Sequence, residues 1–232
     1  MRPLRGPRLS ATREDPPPRR RTPEPSRFRP AERALLDRLT TPRAVQDWLR
    51  SLPYDPNHDG PTLRTFRGVV RDGRAHCLEA VLAAATILEQ RGDPPHVLDL
   101  ASRDGLDHVL FLYRRGGRWG SIARSRDAGL HGRKPAFRTV RDLVYSYVDP
   151  YVDGSGRIMG YGTYDLDRLT RADWRLGAGH VWSVERALIV APHVRLRTSD
   201  RRYRRALRRY RAFRARHPDE PVAYYEGRES WL

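Results

Sequence analysis

The period of apolar and polar positions changes several times along this chain, and each change marks an element. Residues 76–90, HCLEAVLAAATILEQ, are apolar on nearly every side, which predicts a helix buried around most of its circumference. Gly92 supplies a stop and Pro94-Pro95 follow it. Three short strand-like runs come next, Val97–Ala101, His108–Tyr113 and Trp119–Ala123. Between the last two, Arg114-Arg115-Gly116-Gly117-Arg118 is a hairpin signal. Upstream, residues 31–39 set Leu35, Leu36 and Leu39 on one side of a short helix. A second helix over 43–52, with Thr41 as N-cap and Pro42 at its first position, turns Val45, Trp48 and Leu49 inward.

Downstream, residues 139–148 predict an amphipathic helix capped by Thr139 and buried through Val140, Leu143, Val144 and Tyr147. The Gly- and Tyr-rich stretch from Pro150 to Tyr164 shows no period, and residues 167–169 with Trp174 suggest a short covering segment. Residues 181–191 are apolar enough for a core helix or a strand, and 199–216 place Tyr203, Leu207, Tyr210 and Phe213 at helical spacing opposite a face of arginine. A central helix running into antiparallel strands gives an α+β fold.

Composition divides the chain of 232 residues into three. Hydrophobic content is 38% and mean hydropathy −0.75, low for a chain that is all core. Residues 1–29 account for part of this: prolines at 3, 7, 16, 17, 18, 23 and 25 among clustered arginines predict a disordered arm. A domain over 30–194 follows, and an Arg-rich helix and tail over 195–232 are expected to pack on it. The net charge of +17 is concentrated at the ends, with ten arginines against four acids in 1–33 and eleven arginines against Asp200 alone in 195–216. The tyrosine stripe of the last helix is read as its docking face, with arginines left in solvent. Arginine-rich termini also attract phosphate backbones, so nucleic acid is a candidate partner.

No run of 18 apolar residues occurs, so no membrane span is predicted. The basic N-terminus lacks the apolar segment of a secretory signal, and one free thiol suits a reducing compartment, so cytoplasm is the expected location.

That thiol, Cys77, is the only cysteine, and it sits in the first turn of the most apolar helix. Free N–H groups and the dipole at a helix N-terminus lower a thiol pKa from about 8.5 and can hold a developing oxyanion. His108, preceded by Asp107, opens the next long strand and is placed to take the proton of Cys77 and return it to a leaving amine. On the residues alone two plainer readings stay open. An isolated cysteine in an apolar helix is a small hydrophobe, and a histidine at a strand mouth is a capping group. His76 beside Cys77 lacks the further ligands zinc needs, and Asp153-Gly154-Ser155-Gly156 lacks the strand, spacing and Lys of a phosphate loop. No metal and no cofactor are therefore expected.

Gly73 to Ala80, the boundary at Leu88, Gly92 and Pro94, Asp107-His108-Val109 and Gly117-Arg118-Trp119 together resemble the core of the transglutaminase-like superfamily, a branch of the papain-like cysteine fold. The resemblance covers residues 42–150. Gln46-Asp47-Trp48-Leu49 also resembles a helix in an uncharacterised bacterial branch of that superfamily. It implies a transglutaminase-like or papain-like core with additional C-terminal helices, Cys77 as nucleophile, His108 as base, and an amide or acyl substrate such as a peptide. Hydrolysis is favoured over cross-linking, because no second-substrate site is recognisable. The chain departs from the pattern four positions past Trp119, where Ala123 replaces the family's acid; Ser125 or Asp127 is left to orient His108, and Gln46 is read as a helix-surface residue, with oxyanion donor as the alternative the resemblance implies. The alternative is an inactive member of the fold, used as a binding module for a polyanion such as nucleic acid.

Overall fold

The computed structural model describes residues 22–55, 60–125 and 127–218. Six strands form one sheet: β1 (His96–Ser102), β2 (His108–Arg115), β3 (Arg118–Ile122), β4 (Arg133–Phe137), β5 (Ile158–Asp165) and β6 (Val194–Arg195). Their order is β4-β3-β2-β1-β5-β6, and every neighbouring pair is antiparallel. The β2–β3 hairpin closes through Gly116 and Gly117 at φ 56° and 73°, the left-handed conformation a two-residue turn of this twist requires.

Helices cover both faces. Among α1 (Pro30–Arg38), α2 (Pro42–Ser51), α3 (Phe66–Asp72) and α4 (Cys77–Glu89), α4 is the central one, with every residue from Leu78 to Glu89 buried. It packs on Val97, Val109, Phe111 and Tyr113 together with α1 to α3. Strand alternation sends Leu98, Leu100, Leu110 and Leu112 to the other face, where Leu143, Val144 and Tyr147 of α5 (Val140–Val148) meet them. Each fully buried leucine contributes roughly 1.5–3 kcal/mol.

Three further helices, α6 (Leu166–Leu169), α7 (Trp182–Val190) and α8 (Asp200–Arg216), follow among the described residues. The 181–191 segment is thus a helix. Among the described residues no helix is long and apolar enough to cross a membrane.

Several expectations are corrected. Order begins before Pro30: Pro25–Arg27 form a 3-10 turn, Phe28 is buried against Phe66, and Gln90 Nε2 donates to the Pro23 carbonyl at 3.1 Å. The rest of the expected arm, residues 1–21, lies outside the described residues, as does the tail from 219. The stretch without a period contains β5, which pairs with β1 along its whole length. Gly160 and Gly162 conceal it in the sequence. A Cβ at Gly160 would press on the Val194 carbonyl and the His193 side chain, and one at Gly162 would collide with the Tyr164 ring. Close approach, and not β propensity, selects the residues there.

The C-terminal helix docks by one end. Arg157 binds Asp200 at 2.7 Å, Arg202 binds Asp149 at 2.6 Å, and the Tyr203 hydroxyl donates to the Gly154 carbonyl at 3.2 Å. Beyond that end only Ala206 of α8 is buried, and Leu207, Tyr210 and Phe213 stay partly exposed. The stripe therefore docks less fully than its spacing suggests.

Candidate active site

The start of α4 is built by a capping box and a buried ion cluster. His76 is the N-cap: its Nδ1 accepts the Leu78 N–H at 3.3 Å, and Glu79 Oε2 accepts the His76 N–H at 3.1 Å. His76 Nε2 lies 2.9 Å from the Thr62 carbonyl, so it carries the proton and the ring is spoken for as a cap. Glu79, fully buried, accepts the Arg64 N–H at 2.7 Å and holds its guanidinium at 3.1 Å, while Asp55 accepts from Arg64 Nη1 at 2.8 Å and Asp72 from its Nε at 2.7 Å. The loop before the helix is thereby tied to its first turn.

Cys77 follows as the first helical residue and is partly exposed. The N–H groups of Cys77, Leu78 and Val109 surround its sulfur and favour the thiolate. Val109 faces α4, so strand alternation turns the ring of His108, the residue before it, to the opposite face of the sheet against Tyr147, and the predicted base is not brought to the thiol. The expected low thiol pKa does not result. Desolvation outweighs the N–H groups, the Asp99 carboxylate adds to it, and the thiol is pushed up to about 11.

His108 is buried at the mouth of β2, opposite Leu100. Its Nε2 lies 2.8 Å from the Leu130 carbonyl, and the ring meets Tyr147 edge-on at 6.2 Å. A carbonyl only accepts, so Nε2 is the protonated nitrogen and Nδ1 carries the free lone pair. Burial, opposed by the Leu130 carbonyl and reinforced by His131 and Arg133, lowers its pKa to about 4. No hydrogen bond joins Cys77 and His108 among the described residues.

The orienting group is thus a backbone carbonyl. Neither Ser125 nor Asp127 fills that place: the Ser125 hydroxyl accepts the Asp127 N–H at 3.1 Å, and Asp127 Oδ1 accepts the Gly129 N–H at 2.8 Å. Ala123, at the family's acid position, is buried. Gln46 is a clamp and not an oxyanion donor. Its Oε1 accepts the N–H groups of Ala123 and Gly132 at 3.0 and 3.1 Å, and its Nε2 donates to the Ala123 carbonyl at 2.9 Å. Arg133, buried against Tyr147 at 4.1 Å, donates to the carbonyls of Gly129 and His131, the neighbours of Leu130. Tyr147 donates to the His131 carbonyl at 3.0 Å. Three elements therefore hold the loop that aims the Leu130 carbonyl.

Sequence reasoning also missed Asp99, which sits on β1 facing α4. It is 1% exposed, its Oδ2 lies 3.1 Å from His193 Nε2, and its Oδ1 has no hydrogen-bond partner. Burial first and Asp107 second raise its pKa against the pull of His193. An isolated aspartate within a hydrophobic run is the signal that could have marked it. Among the described residues no group of three His, Cys, Asp or Glu side chains could hold a metal ion. No family model matches this chain, and no curated protein matches it.

Proposed function

We propose that this protein is a transglutaminase-like cysteine enzyme that transfers or hydrolyses an acyl group with Cys77 as the nucleophile. The observation that carries the reading is the seating of the Cys77 sulfur among the N–H groups of Cys77, Leu78 and Val109 at the start of the central helix. Those N–H groups suit a sulfur or an oxyanion that gains negative charge.

A thiol near 11 and an imidazole near 4 are both neutral at pH 7. Thiolate therefore does not accumulate, and the proton leaves sulfur only as the bond to carbon forms. Sulfur attacks the acyl carbon, and the carbon–nitrogen or carbon–oxygen bond breaks as the thiol proton passes to the leaving group. Water then attacks the thioester, releasing the acid and restoring the thiol.

The competing reading, an inactive fold, draws on the same burial of thiol and imidazole. p-Nitrophenyl butyrate separates the two: mass spectrometry of the enzyme quenched after seconds reads a butyryl adduct on Cys77. The adduct is expected in the wild type and absent in Cys77→Ala. No adduct, or an adduct that persists in Cys77→Ala, sinks the enzyme reading.

A further inference from the structure

We propose that the solvent face of α8 is a docking surface for duplex DNA. Arg201, Arg204, Arg205, Arg208, Arg209 and Arg211 are all exposed, and among the described residues none has an ion-pair or hydrogen-bond partner. The charge is therefore not consumed within the fold. The rest of that face is Ala212, Ala215 and Arg216, all exposed, with Arg216 Nε donating to the Ala212 carbonyl at 3.2 Å.

Helical geometry sorts these residues further. At about 100° per residue, Arg201 and Arg208 lie along the centre of the face with the two alanines, Arg204 and Arg211 lie on one flank, and Arg205 and Arg209 on the other. A groove of DNA has a phosphate wall on each side, and a helix entering it needs cations on both flanks. The helix has 17 residues, about 25 Å at about 1.5 Å per residue. Its diameter of about 10–12 Å matches the major groove of B-form DNA, about 12 Å wide, whereas the major groove of duplex RNA is too narrow to admit it. A membrane surface fits less well. The apolar residues of α8 lie on the opposite side, toward the body, where Tyr203 is covered by Arg103 and Arg157. The exposed face has no apolar side chain larger than alanine to insert.

Only the N-terminal end of α8 is tied to the body, through Asp149, Gly154 and Arg157. The remainder is free on its arginine side.

Fluorescence anisotropy with a labelled duplex of 20 base pairs and the full chain tests this. Binding is expected to weaken about 10²- to 10³-fold between about 50 and 200 mM salt, the dependence produced by four to six phosphate contacts. The variant carrying Arg204→Gln, Arg205→Gln, Arg208→Gln and Arg211→Gln is expected to lose most affinity and to flatten the logarithmic salt slope by about 3 or 4. A control with the same charge change at Arg38, Arg138, Arg168 and Arg186, exposed positions elsewhere, is expected to keep most of both. Equal losses in the two variants would assign binding to net charge and overturn the surface. Unchanged binding in the α8 variant, tighter binding to duplex RNA of the same length, or binding to phosphatidylserine vesicles with none to DNA would each overturn it as well. Thermal melts of both variants establish that they fold.

Discussion

The Nε2 nitrogen of His108 lies 2.8 Å from the carbonyl oxygen of Leu130, a backbone group in the position where a side-chain acid was expected. The substitution changes the electrostatics as well as the geometry. A carboxylate would stabilise an imidazolium strongly, whereas a neutral carbonyl orients the ring and leaves burial in command of its pKa. The pair that results is neutral at rest.

Acid should unfold this protein through its buried histidines. His108 and His131 are each lowered to about 4 in the fold, chiefly by burial, against about 6.5 in an unfolded chain. Above pH 6.5 both states are neutral and stability is fully present. As pH falls from about 6.5 to about 4 the unfolded chain gains protons that the folded one refuses, and each histidine removes about 3 kcal/mol. Urea midpoints measured from pH 8 to pH 4 should drop across that window, and His131→Gln should drop less. Parallel curves would show that His131 is not a source of the loss.

Alkylation of Cys77 should be slow at neutral pH despite its place at a helix N-terminus. With the thiol at about 11, iodoacetamide at pH 8 is expected to react roughly tenfold or more slower than with free cysteine. The rate should climb without a plateau up to about pH 10. A plateau near pH 7 would mean that the N–H groups overcome burial after all.

Gly132 has no room for a methyl group. A Cβ there would collide with Gln46 Oε1 and the Ser121 carbonyl, so Gly132→Ala must displace the clamp that fixes the loop of Leu130. A loss of about 1–3 kcal/mol is expected from the overpacking. Normal stability would show that the loop gives way freely.

Arg175 should be among the costliest charges to remove. It is buried between Glu89 at 2.6 Å and Asp167 at 2.9 Å, with its guanidinium 3.7 Å from the Trp174 ring. Arg175→Met leaves two buried carboxylates without their cation and should cost about 3–5 kcal/mol. Removing the exposed Arg43, whose 3.7 Å pair with Asp47 is solvated, should change stability by less than about 1 kcal/mol. Chemical denaturation of the two variants makes the comparison, and similar losses would contradict the assignment of Arg175 to the core.

Legibility followed the physical origin of each feature. The helix from Cys77 and the β2–β3 hairpin were readable because a continuous apolar run and a Gly-Gly turn act locally. The seven-residue α3 and the glycine-bearing β5 were not, because their neighbours stabilise them: the Phe66 N–H donates to the Trp174 carbonyl, and β5 lies between β1 and β6. Cys77 and His108 could be picked out by residue type, yet the Leu130 carbonyl could not, since every residue carries one.

The sequence by itself determined the α+β order, the position of the lone thiol at the start of the central helix, and the arginine face of the last one. All three rest on composition or on a local period. The tertiary structure alone decided that a backbone carbonyl orients His108, that the Asp99 carboxylate faces the central helix, and that the thiol pKa rises where helix geometry argues for a fall. Desolvation is a property of everything packed around a group, and distant segments supply that packing.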